Sequence, residues 1–357
     1  VLNLSPNGCS VWVTSSTELA LTPAAVALGK FDGLHRGHQQ VIQPILKVGK
    51  AEEVQDLFIS PTSPASPTSP AHRDKHVYST VVTFNPHPQE FFSGKPRALL
   101  TPLDEKVQHL RSLGVEQLVL LPFDRELCSL TPEEFVAKIL VEQLQVTQIS
   151  IGYDFHFGSQ RSGTAQDLQI IAARYNIPVA IVPLATEDRG SSSVSTFPEI
   201  TPISTSFIRE ILASGDIQRA QQLLGRPYTL TGTVIQGQQL GRTIGFPTAN
   251  LELPKDKFLP HLGVYAVRVF MMTDTSAELE PLALGVMNIG NRPTVNGSNI
   301  TVEVHLFDWS GDLYGKTLTV QLEKFIRPES KFSSLEALKN QIRQDCTATK
   351  VFFGTEC

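Results

Sequence analysis

The sequence predicts two domains, an α/β domain built on a parallel sheet and then a small antiparallel β-barrel carrying a C-terminal helix. Three observations carry that prediction. The chain has 357 residues, more than one ordinary domain needs. From Ala24 to about Leu224, short β-rich runs alternate with helical segments, the pattern of strands joined by helices. From Tyr228 onward the texture changes to successive β-type runs punctuated by glycine, as in a small antiparallel barrel. The expected domains are residues 1–224 and 225–357, with the boundary near Gly225.

The elements follow in order. AAVAL (Ala24 to Leu28) is an uninterrupted apolar run and reads as a buried parallel strand. Behind it QQVIQPIL sets Val41, Ile42, Ile45 and Leu46 at helical spacing, with Pro44 expected to kink that helix by removing one backbone hydrogen bond. Further strands are expected in HVYSTVVTF, QLVLLPF, TQISIG and PVAIVP. Thr101 and Thr131 each precede a proline and mark helix starts, and Thr131 with Glu134 forms a capping box. SPTSPASPTSP at 60–70 cannot pack a core and reads as an exposed insertion. The polar run DRGSSSVSTFPE at 188–199 is open to two readings, a solvated loop or a mobile lid. Barrel strands are expected in YTLTGTVIQG, VYAVRVFMM, LALGVMNIG, ITVEVHLF and LTVQLEKFI. The final helix, Ser334 to Asp345, is expected to bury Leu335, Leu338 and Ile342.

Bulk properties narrow the function classes. Net charge is −5, from 30 Lys and Arg against 35 Asp and Glu, and the charges are interspersed. No basic stripe of the kind that tracks a phosphate backbone is present, so a nucleic-acid partner is not expected and small molecules are. No apolar run is long enough to span a bilayer, so no membrane partner is expected. The four cysteines, Cys9, Cys128, Cys346 and Cys357, form no CxxC pair. They read as free thiols in a reducing compartment, which points to the cytoplasm. The N-terminus lacks the charged region and apolar core of a signal peptide, and because the chain begins at Val1 instead of Met a truncated or processed start is expected.

GKFDGLHRGH, Gly29 to His38, holds the strongest chemical signal: two histidines three apart on a glycine-broken turn between strand and helix. Amides and dipole at such a helix start attract anions, and Gly33 and Gly37 let the backbone approach a polyphosphate. His35 and His38 then share a face and can donate to oxygens that gain charge in phosphoryl or nucleotidyl transfer. Metal ligation is the weaker alternative, because no cysteine lies nearby and HExxH is absent. A purely structural role for either histidine stays open. In ISTSFIR, Ser204, Thr205 and Ser206 precede a helix, with Arg209 as a cation; they read either as a phosphate-holding start or as an N-cap alone. Asn85 and Asp154 follow strands at the expected carboxyl edge of the sheet, where ligands bind, or else stabilise their turns.

The second half has no Walker A loop. GDLYGKT (Gly311 to Thr317) is one residue short and leads into a strand, so it reads as a hairpin turn. GTVIQGQQLGRTIGFPTAN is the better phosphate loop: Gly232, Gly237, Gly241 and Gly245 permit close backbone approach, and Thr248 and Asn250 offer hard oxygens suited to Mg2+. Glycines serving only barrel turns are the competing reading. TVEVHLFDW alternates, with Val302, Val304 and Leu306 on one face and Thr301, Glu303 and His305 on the other. Glu303 is thus available to a pocket or to solvent.

GKFDGLHRGH, TFNPHP (Thr83 to Pro88), GYDFHFG (Gly152 to Gly158), RSG (Arg161 to Gly163) and ISTSFIR together resemble the FMN adenylyltransferase module of bacterial bifunctional riboflavin kinase/FAD synthetases, in the HxGH nucleotidyltransferase superfamily. The second half resembles the riboflavin kinase module of the same family, through the glycine-rich PTAN loop, GVMNIGNRPT (Gly285 to Thr294), TVEVHLFDW and FIRPESKF (Phe325 to Phe332). The resemblance runs in order along nearly the whole chain. It implies a Rossmann-like nucleotidyltransferase domain followed by a barrel kinase domain, with ATP and Mg2+ used to turn riboflavin into FMN and then FAD.

Its site assignments are specific. Gly29, Phe31, Asp32, Gly33, His35, His38, Ser204, Thr205, Ser206 and Arg209 are implied to hold ATP for adenylylation, with His35, His38 and Arg209 catalytic and Asn85 and Asp154 at FMN. Gly237, Gly241, Arg242, Gly245, Thr248 and Asn250 are implied to hold the kinase ATP, Thr248 and Asn250 its metal, Glu303 to be the base, and Arg327 and Glu329 to contact flavin. The departures are the hydroxyl order in ISTS, Pro44, and the 60–70 insertion. Two competing functions are a different HxGH nucleotidyltransferase, which leaves PTAN and Glu303 unexplained, and a flavin-binding regulator with an inactive kinase half, which intact Thr248, Asn250 and Glu303 disfavour.

Overall fold

The computed structural model describes residues 11–47, 76–187, 201–237, 239–272, 279–294 and 297–355. The 60–70 insertion, the 188–199 run, Cys9 and Cys357 lie outside the described residues. The chain forms two compact units, Val1–Arg97 with Lys106–Ile203, and Ala98–Glu105 with Ser204–Cys357.

The first unit is a parallel sheet with helical connections. Its strands are β1 (Trp12–Thr14), β2 (Ala24–Leu28), β3 (Tyr78–Asn85), β4 (Gln117–Pro122) and β5 (Val146–Gly152), a small antiparallel ribbon β6 (His156–Phe157) and β7 (Gly163–Thr164), and β8 (Val179–Val182). The six-stranded order is β1-β4-β3-β2-β5-β8, all parallel. The order reverses between β2 and β5, which makes their carboxyl ends the switch point where open α/β sheets bind ligands. All five residues of β2 are buried, and three of them are alanines. Helix Arg36–Leu46 buries Val41, Ile42 and Ile45 and is tied to β5, where the buried Ser150 hydroxyl donates to the Val41 carbonyl at 2.6 Å. Pro44 falls in its last turn. The expected cap at Thr131 is present as a full capping box, and the helix it starts (Pro132–Glu134) continues as a wider π-helical stretch over Phe135–Gln143. The other proline-marked helix begins at Leu103, one residue beyond Pro102.

The second unit contains a closed barrel of six antiparallel strands: β9 (Tyr228–Ile235), β10 (Ala249–Glu252), β11 (Gly263–Met272), β12 (Leu279–Thr294), β13 (Gly297–Leu306) and β14 (Thr317–Pro328). The order is β10-β13-β12-β11-β14-β9, and β10 pairs with β9 to close the ring. Its interior includes Leu230, Tyr265, Val267, Met287, Val302, Val304 and Leu318, all buried. Helices Thr205–Ser214 and Ile217–Leu224 belong to this unit, and the second packs on β9 and β14. The short segment 98–105 joins it through a buried ion pair. Lys257 Nζ lies 2.5 Å from Glu105 Oε2, donates to the Leu100 carbonyl at 2.8 Å and sits 4.5 Å from the Tyr228 ring centroid. Burial pushes the Glu105 carboxyl above its usual range, against the pull of Lys257.

Four strands were not legible as strands. β1 has three residues and β6 and β7 two each, too few for a period, and β10 lies inside the PTAN loop, where four residues carry two polar side chains. The expectation for the last helix is corrected. It runs Leu335–Phe353, its N-cap is Ser334, and its buried side chains are Asp345 and Thr349. Leu335 is 58% exposed, while Leu338 and Ile342 are half-buried. The stripe borders a cavity instead of the core, and helical spacing alone does not distinguish the two.

Candidate active sites

The Gly29–His38 turn leaves the carboxyl end of β2 at the switch point. Phe31 (φ 48°) and Leu34 (φ 43°) hold left-handed backbone on either side of Gly33 (φ 89°). Side chains resist that conformation at about 1–3 kcal/mol each, and it persists where packing over-determines it. Both residues are 1% exposed. Asp32 and His35 are also buried. His35 is the N-cap of Arg36–Leu46, and its Nδ1 accepts from the His38 backbone N–H at 3.3 Å. With Nδ1 accepting, the neutral ring carries its proton on Nε2. The His35 and His38 rings stack at 3.7 Å with 18° between planes, and Phe31 meets His38 edge-on at 5.3 Å. Gly37 is required by this stack, because a Cβ there would lie 3.2 Å from the His35 ring. At Gly29 a Cβ would press the Phe31 ring at 3.1 Å.

Asn85 ends β3 and Asp154 follows β5, both exposed at the carboxyl edge. Cationic groups gather at the same edge. Burial lowers the Lys30 pKa, and Arg161 and Arg97 lower it further while Asp154 raises it. His87, the N-cap of Pro88–Ser93, is brought down to about 4, first by burial and then by Arg97 and Lys30. These four had no role assigned from sequence, although Lys30, His87 and Arg161 lie within GKF, NPHP and RSG; Arg97 lies in none of these strings.

In the second unit, Ser204 caps helix Thr205–Ser214 by accepting from the Phe207 N–H at 3.2 Å, and Ser204 and Ser206 are exposed. Arg209 donates to the Ala98 carbonyl and lies 4.8 Å from the Phe258 ring centroid.

The barrel site is built by register. Asn250 opposes Glu303, Glu303 opposes Asn288, Asn288 opposes Val264, and Val264 opposes Arg327. One row therefore crosses β10, β13, β12, β11 and β14. All five residues line a single cavity of about 350 Å³. That volume is in the range of small-molecule sites. The alternation in β13 holds: Val302, Val304 and Leu306 are buried, while Glu303 and His305 face the cavity. His305 Nδ1 donates to the Pro247 carbonyl at 2.8 Å, tying β13 to the PTAN loop. Glu329 lines the cavity and accepts from the Asn291 N–H at 3.2 Å. Helix Leu335–Phe353 contributes Leu338, Ile342, Asp345 and Cys346. From sequence, His305 was placed on the Glu303 face without a role, and Asn288 and Asp345 were given no place in the site. Asn288 was detectable as the polar residue between buried Met287 and Ile289, whereas Asp345 had no signal.

Thr248 and Asn250 line the same cavity, and the glycines of the loop are fitted around them. A Cβ at Gly237 would overlap the Asn250 amide, and one at Gly241 would strike the Phe246 carbonyl and come within 3.3 Å of Thr248 Oγ1. Gly245 holds φ 88°. This cradle and its two neutral hard oxygens fit a divalent cation carried in by a nucleotide. Arg242 and Gly245 are exposed and do not line the cavity. Among the described residues no group of three or more His, Cys, Asp or Glu side chains is placed to hold a metal ion, and no helix is long and apolar enough to cross a membrane.

A parallel sheet with a histidine pair at its switch point, and a barrel with a carboxylate beside a glycine-fitted cradle, are two candidate active sites of the kind a transferase needs. Family models agree: one described as FAD synthetase matches residues 18–66 and 65–196, and one described as riboflavin kinase matches 224–353. The chain is 37% identical over 331 residues to the bifunctional riboflavin kinase/FMN adenylyltransferase of Escherichia coli K12, covering 92% of each chain. The protein of the same description from Haemophilus influenzae is 37% identical over 336 residues, 94% of this chain and 96% of its own. A solved structure named as a macrolide-efflux protein from Streptococcus pneumoniae shares the fold at TM-score 0.73 and 29% identity, over 96% of this chain and 99% of its own. The chain belongs to the family of bifunctional riboflavin kinase/FMN adenylyltransferases.

Proposed function

We propose that the barrel cavity is where this family's riboflavin kinase reaction runs in the chain, and that the Gly29–His38 turn serves adenylylation of the FMN so made. The protein phosphorylates riboflavin to FMN and transfers AMP to FMN, giving FAD and pyrophosphate. We assign the kinase to residues 225–357 and the adenylyltransferase to 1–224. The observation that carries the kinase assignment is the register row that sets Glu303 between Asn250 and Asn288 in the cavity.

In phosphorylation, Glu303 accepts the proton of the ribityl 5′ hydroxyl as its oxygen bonds to the γ-phosphorus and ADP departs. Thr248 and Asn250 would hold Mg2+, which would neutralise charge on the ATP phosphates. Gly237 and Gly241 keep the loop backbone close enough to donate to phosphate oxygens. In adenylylation, an FMN phosphate oxygen attacks the α-phosphorus and pyrophosphate leaves without net proton transfer, so the work is positioning and charge stabilisation. His35, with Nδ1 occupied as a cap, donates through Nε2–H; His38 is held beside it by the stack. Asn85 and Asp154 take the FMN end. Cys128 and Cys346 are free thiols, which supports a reducing, cytoplasmic compartment. Glu303→Gln tests the assignment: riboflavin phosphorylation should fall by roughly 10² to 10⁴ while adenylylation of supplied FMN stays near wild type. A kinase rate within about threefold of wild type would show that Glu303 is a solvated strand carboxylate.

A further inference from the structure

The C-terminal helix Leu335–Phe353 is docked in an unusual way. Its two buried side chains, Asp345 and Thr349, are both polar. Attachments near its end include cations over rings, Arg268 over Phe353 at 4.8 Å, Lys324 over Phe352 at 5.3 Å and Lys350 over Phe307 at 5.5 Å. The apolar side chains of its first half, Leu338 and Ile342, face the cavity. Halfway along, the Asp345 carboxylate, with its side chain 4% exposed, receives Arg327 in a fork: Nε to Oδ1 at 2.9 Å and Nη2 to Oδ2 at 2.8 Å. Gln341 Nε2 donates to Oδ1 at 3.0 Å, and Arg327 Nη1 donates to the Pro328 carbonyl at 3.0 Å.

We infer that Asp345 is a positioning residue of the kinase site: through Arg327 it clasps the helix to β14 and so fixes the apolar wall against which the substrate's far end packs. The inference rests on the reading of this cavity as the kinase site. Arg327 ends the row that begins at Asn250 and lies three strands round the closed barrel from Glu303, on its opposite side. The clasp thus acts on the wall opposite the proposed base and belongs to binding. A bidentate Arg–carboxylate pair suits such a role because it fixes angle as well as distance. Removing one partner also strands a buried charge, so the helix loses its anchor at the point where its wall begins.

The experiment measures riboflavin phosphorylation by the full chain carrying Asp345→Asn, Asp345→Ala, Arg327→Ala, the Asp345→Ala/Arg327→Ala pair, or Glu303→Gln, with a thermal unfolding curve for each. The expected result is a riboflavin KM raised about tenfold or more by Asp345→Ala, less by the isosteric Asp345→Asn, with kcat within about threefold of wild type. The double variant should be no worse than the poorer single one, as residues acting as a unit are non-additive. If Asp345→Ala fails to fold, Asp345→Asn decides by the same split. Wild-type KM in the Asp345 variants, with Glu303→Gln inactive, overturns the clasp and leaves the site standing. Wild-type kinetics in all variants, Glu303→Gln included, overturns the site and the clasp with it.

Discussion

The Gly29–His38 turn and the barrel row, the two sites we propose for phosphate chemistry, are built by opposite means. The turn takes its site from ten consecutive residues, with left-handed backbone at Phe31, Gly33 and Leu34 aiming a stacked histidine pair. The row takes one residue from each of five strands, and its geometry exists only once the barrel has closed. A site of the first kind depends on local conformation, and one of the second kind on register. They should therefore fail differently.

The largest effect expected in the turn is that of His38→Ala, which removes a preorganised donor and half of the ring stack. FAD formation from FMN should fall by on the order of 10² or more, with riboflavin phosphorylation retained. Steady-state rates for the two reactions on one preparation decide it, and equal loss of both would break the division between the regions.

A smaller effect comes from single methyl groups. Gly37→Ala presses on the His35 ring and Gly237→Ala on the Asn250 amide. Each should slow its own reaction by about tenfold through displacement of a functional group, and leave the other within about twofold. A Gly237→Ala enzyme with an unaltered kinase rate would show that Asn250 is not held by the cradle.

The smallest effect is on stability. His87, lowered to about 4 from 6.5, is neutral when folded, and between those values the unfolded chain binds more protons. Its contribution to stability is therefore present above about 6.5 and is lost as pH falls toward 4. His87→Asn, which keeps a capping side chain, should narrow the drop in thermal midpoint between pH 7 and pH 5 relative to wild type. An identical drop in both proteins would contradict the shift.

The same contrast explains what could be read beforehand. The turn, its strand and its helix were legible because the sequence writes them contiguously. In the barrel, the period-2 pattern put Glu303 on the open face of β13, yet Asn288 beside it and Arg327 at the far end of the row are set by pairing across strands, which periodicity does not encode. β10 was too short to register, and the Leu338–Ile342 stripe looked like core because an apolar cavity wall and a core demand the same residues. Asp345 had no site signal, since a charged residue on a helix ordinarily faces water, and its burial is made tolerable by the partners Arg327 and Gln341.

The most direct test of two independent sites in one chain is the set of four rates from His38→Ala and Glu303→Gln, each assayed for riboflavin phosphorylation and for adenylylation of supplied FMN at saturating ATP and Mg2+. The account predicts a crossed pattern, in which each variant loses its own reaction about 100-fold or more and keeps the other within about threefold. A variant that remains folded by its thermal transition but loses both reactions to the same extent would contradict it.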